Sequence, residues 1–314
     1  MEQSQDSDGS SASGVVEASE SSSGDVPAVE EALVPSPRST WIRIATFVAI
    51  TYAWSGIFMG MAITGGEITL LSALGGMWSP AVGILLTRLI FPNGRRRGSL
   101  AGLGWGWGQT RWQLASVLLP ALYVGIAHGA VWAFGIAGVT SAGPGEITVG
   151  ILRRLALGIT GGAVLALGEE VGWQGFLVPE AYRLTRFTKT ALIRGIVWSV
   201  WHYPLIIGGV YGTTMTPLWY RLICFTVTLT AVSFAFSWLR IRSGSLWTGV
   251  WLHASHNIFF QSIYPNLTAE GDHTMWFVDE FGAFSAAAAV LVAVFFWTKR
   301  SELPAPGKQA SPGS

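Results

Sequence analysis

Charge is scarce in this 314-residue sequence: Asp, Glu, Lys and Arg together make up only 12% of it. A soluble domain carries about a quarter. Half of the residues are hydrophobic, with 16 Trp and 39 Gly, which is more apolar surface than one soluble core can bury. Cysteine is nearly absent. The single Cys224 sits in an apolar run, which excludes an internal disulfide and any Cys-based metal site and leaves it as a small apolar residue. Basic residues are missing from the first 37 positions, which hold eight acids (Glu2, Asp6, Asp8, Glu17, Glu20, Asp25, Glu30 and Glu31). With a net charge of only +1 and eight of its acids segregated into the first 37 positions, nucleic acid is not an expected partner. A positively charged start running straight into an apolar stretch is also lacking, so the first apolar segment, near Trp41, is expected to stay as an anchor.

What is present is a series of long apolar stretches between two polar tails. Residues 1–37 are rich in Ser, Gly, Asp and Glu and cannot offset the entropy of ordering, so they are expected to be a disordered acidic tail, as are residues 301–314. Between them, stretches long enough to cross about 30 Å of hydrocarbon, at about 20 residues each, recur near 41–63, 68–91, 113–139, 149–178, 188–210, 218–239, 244–265 and 280–298. The expected fold is all-α, a polytopic transmembrane bundle of about eight helices over residues 38–300. Its surroundings are the lipid bilayer.

The basic residues test that count, because Lys and Arg accumulate in cytoplasmic connections. Arg38 and Arg43 precede or open the first span, Arg95, Arg96, Arg97 and Arg111 follow the second, and Arg183, Arg186 and Lys189 follow the fourth. Arg240 and Arg242 follow the sixth, Lys299 and Arg300 the eighth. The alternate connections hold Glu67, Glu146, Glu270, Asp272 and Asp279, with Arg153 and Arg154 as the one awkward pair. A multi-pass protein of the cell membrane with both termini cytoplasmic is expected.

Ionisable side chains inside such spans cost roughly 2.5–3.5 kcal/mol each on insertion scales and so demand a reason. Glu169 and Glu170 lie in the fourth span, His202 in the fifth, and His253, His256 and Asn257 in the seventh. Helical spacing sorts them by face. His253 and Asn257 are four apart and point together, as do Glu170 and Gln174, whereas Glu169 is turned about 100° from Glu170 and shares a direction with Trp173. Trp198 lies one turn before His202 and supports it. His256 faces elsewhere on its helix and is expected to be support, and His128 to bond a neighbouring helix.

The segments Glu169-Glu170-Val-Gly-Trp-Gln174, Trp198-Ser-Val-Trp-His202 and His253-Ala-Ser-His-Asn257 resemble, in order and in placement, the three motifs of the CAAX-protease and bacteriocin-processing (CPBP, Abi-like) family of intramembrane proteases. The resemblance covers residues 148–265. It implies a membrane-embedded endopeptidase, a hydrolase in which Glu169 and His202 activate water, His253 and Asn257 hold the oxyanion, and Glu170 orients the site. Its partner would be a peptide or protein substrate reached from the membrane or the cytoplasmic side. Eukaryotic relatives trim prenylated C-termini, and bacterial relatives are associated with peptide maturation or bacteriocin self-protection.

Two positions depart from the family pattern. Gln174 stands where the motif has Arg, so Glu170 must find another cation or be protonated; protonation, with a hydrogen bond from Gln174, is the expectation. Trp198 stands where Phe is common and is expected to serve as a flat apolar packing partner. No cofactor is firmly implied. Zinc stays open, since His202, His253 and a glutamate could supply three ligands, although a His-Glu-x-x-His helix is absent and Asn257 is a poor ligand. The alternatives are a catalytically silent immunity or scaffold protein of the same family, and a proton- or cation-coupled transporter. Convergence of Glu169, His202, His253 and Asn257 on one cavity open to the cytoplasm would speak for hydrolysis; polar groups strung across the bilayer would speak for transport.

Overall fold

The computed structural model describes residues 36–92, 100, 102–269, 271 and 273–306. The chain divides into two units, Met1–Pro37 and Arg38–Ser314, and the second holds the helical bundle. The tail expected over residues 1–37 lies outside the described residues except for its last two positions. Arg95, Arg96, Arg97, Glu270, Asp272 and residues 307–314 also lie outside them.

Each expected span finds a helical rod. α1 is Pro37–Gly65; α2 (Leu70–Met77) and α3 (Ser79–Ile90) form the second, broken at Trp78 where Pro80 can only sit in the first turn of a new helix. The Thr69 hydroxyl caps α2 by accepting the Ser72 N–H at 3.2 Å. α4 is Thr110–Ala133. α5 (Pro144–Gly172) continues through a π segment, Trp173–Leu177, into α6 (Val178–Leu184). α7 is Phe187–Ile207 and α8 is Leu218–Ser243, closed by Gly244 in the left-handed region at φ 70°. α9 (Trp247–Ile258) passes through a second π segment, Phe259–Ile263, into α10 (Tyr264–Leu267), and α11 is Ala283–Thr298.

Six of the rods are long and apolar enough to cross a membrane: Pro37–Gly65, Leu70–Ile90, Thr110–Ala133, Pro144–Leu184, Leu218–Ser243 and Ala283–Glu302. The other two carry His202, His253 and Asn257. On α4 the large residues Leu114, Leu118, Leu122 and Ile126 form an exposed stripe four residues apart, the face that lipid would cover in a multi-pass membrane protein. The inner faces pack α7 on α8, α8 on α11, and α9 on α5 and α4.

Both π segments have a local cause. Proline has no N–H and crowds the carbonyl four residues back, and Pro179 and Pro265 each follow a π segment by two residues. The N–H of Val178 reaches back five residues to Trp173 and that of Tyr264 five residues to Phe259. The carbonyl of Gln174 would take the N–H of residue 179 in this pattern, and Pro179 has none. Arg240 supplies the missing donor, Nε to the Gln174 carbonyl at 2.7 Å.

Cross-links sort the connections into two ends. At one end Gly138–Val139 (β1) pairs antiparallel with Thr268–Ala269 (β2), and the Tyr211 and Tyr220 hydroxyls bond Glu280 and the Trp276 carbonyl. At the other the Leu246 N–H donates to Gly104 at 2.8 Å, Tyr182 to the Pro304 carbonyl at 2.6 Å and Trp238 to the Lys299 carbonyl at 3.0 Å. Arg111, Arg183, Arg186, Lys189, Arg240, Arg242, Lys299 and Arg300 all belong to this second end. Under a positive-inside orientation this end would be the cytoplasmic one. Reporter fusions after Arg186 and Arg242 are expected to read cytoplasmic, and one at Gly271 external; a cytoplasmic reading at Gly271 would contradict the orientation.

Candidate active site

The three motif helices bring their polar residues to one place. Glu169, Trp198, His202, His253 and Asn257 all line a single cavity of about 260 Å³. Glu170 and Gln174 lie outside its lining, fully buried. α9 can approach α5 this closely because residue 249 is Gly: a Cβ there would meet Gln174 Cγ at 2.5 Å and Glu170 Oε2 at 3.1 Å.

Glu170 is not paired with Gln174. Arg194, on α7 and itself fully buried, places Nη2 at 3.2 and 3.3 Å from the two Glu170 oxygens and donates from Nη1 to Ser233 Oγ at 2.8 Å. Its guanidinium also lies 3.8 Å from the Phe236 ring centre and 4.4 Å from that of Trp198. His253 Nδ1 adds a third contact to Glu170, 2.9 Å from Oε1. The expectation that Gln174 holds Glu170 is thus corrected: two other helices surround this side chain with donors, while the Gln174 side-chain amide has no hydrogen-bond partner among the described residues. Sequence reasoning missed Arg194. The signal was a lone Arg in an apolar helix one turn before Trp198 and two before His202, on one face.

Glu169 is held differently. Its Oε2 accepts the indole N–H of Trp173 at 3.1 Å and that of Trp198 at 2.8 Å. The expectation of Trp198 as a purely apolar partner is therefore also corrected, since a Phe there could pack but not donate. The shared direction of Glu169 and Trp173 follows from their four-residue spacing.

The imidazoles differ in what fixes them. His202 Nδ1 lies 2.8 Å from the Trp198 carbonyl, which can only accept, so Nδ1 carries the proton and a neutral ring keeps its lone pair on Nε2. His253 directs Nδ1 at a carboxyl oxygen, which accepts the Nδ1–H and fixes the ring with Nε2 as its other nitrogen. Asn257 lines the cavity without a side-chain hydrogen bond among the described residues. As for zinc, no three His, Cys, Asp or Glu side chains among the described residues are grouped as a ligand set. Both histidines direct Nδ1 at protein acceptors and Glu169 Oε2 takes two donors, which leaves each Nε2 and Glu169 Oε1 as the atoms a zinc ion would have to use.

Residues 151–259 match the family model for type II CAAX prenyl endopeptidase, Rce1-like. This segment, about a third of the chain, is therefore similar to that endopeptidase family. The matched segment contains all five motif residues, Glu169, Glu170, His202, His253 and Asn257, and stops short of the last helix. No curated protein matches the chain.

Beyond the matched segment, Glu280 reaches the same cavity from the connection before α11. It is buried and accepts from Tyr211, from Gln261 at 3.4 Å and from His256 Nε2 at 3.3 Å, while His256 Nδ1 bonds Tyr123. His256, expected to face elsewhere, lines the same cavity, whose wall is completed by Ile68, Tyr211 and Glu280 from three connections as well as by the helices. An acid at the first position of an apolar stretch was the available signal for Glu280, and the helix starts only at Ala283. His128 bonds Thr268 Oγ1 at 2.8 Å and stacks on Tyr264, a contact to its neighbouring helix.

The cavity lining runs to Ile68, Tyr211 and Glu280, which belong to the less basic end of the bundle. With the basic end cytoplasmic, the cavity reaches toward the opposite end, so of the two signs of hydrolysis named above, convergence is met and a cytoplasmic opening is not. Glu280→Ala would leave the Tyr211 hydroxyl and the buried His256 ring without this acceptor. At about 1–3 kcal/mol for each donor left unpaired in a buried site, its unfolding midpoint should fall clearly below that of the wild type. Glu280→Gln should fall less, and an unchanged midpoint for the Ala variant would contradict the network.

Proposed function

We propose that this chain is an intramembrane endopeptidase that hydrolyses a peptide bond with water activated by Glu169 and His202, without a metal. The observation that carries the reading is the convergence of Glu169, His202, His253 and Asn257, from three helices, on one cavity. Glu169 and His202 share no direct hydrogen bond, which suits two groups acting on one water between them.

The chemistry follows from the free atoms. Glu169 Oε1 takes a proton from water and the hydroxide oxygen attacks the carbonyl carbon. His202 Nε2 orients the water through its lone pair. The oxyanion is met by the Asn257 amide and, through Nε2–H, by a His253 ring that holds a proton on both nitrogens, two donors one turn apart on one helix face. The proton held on Glu169 then passes to the departing amine, whose C–N bond breaks, leaving a carboxylic acid that gives its proton to the released amine or to water and restoring the site.

Arg194 supports the active reading against the silent one. Loss of the motif Arg at position 174 would matter if it left Glu170 without a counter-charge, and Glu170 has one. Convergence on one cavity supports hydrolysis over transport. By its family the substrate class is a membrane-associated peptide, with prenylated C-termini as one candidate.

The purified protein in lipid is expected to cleave members of a peptide library. Glu169→Gln keeps the volume and removes the base, so turnover should fall by about a thousandfold or more while the protein stays folded. Retained turnover in folded Glu169→Gln would sink the glutamate mechanism. Wild-type cleavage should survive prolonged chelation; loss on chelation with recovery on adding zinc would overturn the metal-free reading.

A further inference from the structure

The two indoles on Glu169 have a function that packing does not describe. We propose that Trp173 and Trp198 form a donor pair that binds one oxygen of the Glu169 carboxylate and so presents the other, Oε1, to the water. The proposal rests on the reading of Glu169 as the base. It concerns what makes that carboxylate usable in a buried site.

Both N–H groups reach the same atom, Oε2, at 3.1 and 2.8 Å, and both rings are buried. Oε1 has no hydrogen-bond partner among the described residues, and Glu169 lines the cavity. A carboxylate with two donors on one oxygen cannot rotate freely about its terminal torsion, because turning over would forfeit both bonds. Its negative charge is also stabilised where water is scarce. The two donors are neutral, so unlike an Arg they do not clamp the carboxylate into a full ion pair that would quench its basicity.

The rings arrive from different helices for identifiable reasons. Trp173 is one turn beyond Glu169 and opens the π segment that Pro179 enforces. Trp198 is pinned on its other faces: Arg194 lies 4.4 Å from its ring centre, and its ring meets those of His253 at 5.1 Å and His202 at 5.8 Å edge to face. The indole that orients the base thus also touches both histidines and the cation beside Glu170. One residue sets the relative position of the base, the water partner and the oxyanion donor. Trp173 and Trp198 are positioning residues; Glu169 takes the proton.

Trp198 replaced by 3-benzothienylalanine keeps the fused bicyclic shape and loses only the N–H, which separates donation from packing. Wild type, this variant, Trp173→Phe and Glu169→Gln would be compared in lipid against one cleavable peptide over a range of pH, with unfolding midpoints measured alongside. The sulfur variant is expected to unfold near the wild-type midpoint, to lose about tenfold or more in kcat with little change in KM, and to show the acid limb of its rate profile displaced to higher pH. That displacement follows because a carboxylate with one donor fewer takes up a proton more readily. Trp173→Phe should move the limb in the same direction. A wild-type rate and profile in the sulfur variant, or a slower rate with an unmoved acid limb, would overturn the donor pair. Glu169→Gln separates the two failures: if it retains turnover the glutamate reading beneath the proposal is wrong, whereas if it is inactive and the sulfur variant is unaffected only the donor pair is wrong.

Discussion

The buried ion pair between Glu170 and Arg194 is the constraint on which the site depends. A carboxylate and a guanidinium sealed away from water are tolerated only with good geometry and further hydrogen bonds, and removing one partner of such a pair typically costs about 3–5 kcal/mol. Here the further bonds exist: Ser233 takes the second Arg194 nitrogen and His253 the carboxylate. The pair therefore ties α5, α7, α8 and α9 at one point. Glu170 fixes the His253 ring, and Arg194 lies against the Trp198 ring that holds Glu169. The adjacent glutamates have separate tasks because a single helical step sends one into the ion pair and the other to the cavity.

Backbone irregularity serves the same site. Two prolines in otherwise apolar helices force the π segments that begin just after Glu170 and just after Ile258. π segments of this kind are frequent at functional sites. The first brings Trp173 to Glu169 and exposes the Gln174 carbonyl, which Arg240 satisfies from α8. Residue 174 thus contributes through its backbone while its side-chain amide stays without a partner among the described residues.

Most of the architecture was legible because hydropathy and the spacing of basic residues are local properties, and each expected span has a rod. The faces of Glu169, His253 and Asn257 were legible from helical periodicity. What stayed hidden depends on which helices touch. Arg194 was visible as a letter, but its pairing with Glu170 requires the packing of α7 against α5, and spacing within one helix directed attention to Gln174 instead. Trp198 read as packing because a residue's ring is evident from its type and its N–H partner is not. Glu280 fell at the edge of an expected span, and only the fold carries the connection before α11 back to the cavity.

The account stands most directly on whether Arg194 supplies the charge that position 174 lacks, and moving that charge tests it. Cleavage of one peptide by the wild type, Arg194→Met and the double variant Gln174→Arg/Arg194→Met would be measured in lipid, with unfolding midpoints to monitor the fold. The single variant is expected to lose activity and stability, and the double variant to recover a substantial part of both, since position 174 lies one turn from Glu170 on its own helix. Wild-type activity in Arg194→Met, or no recovery in the double variant, would contradict the account.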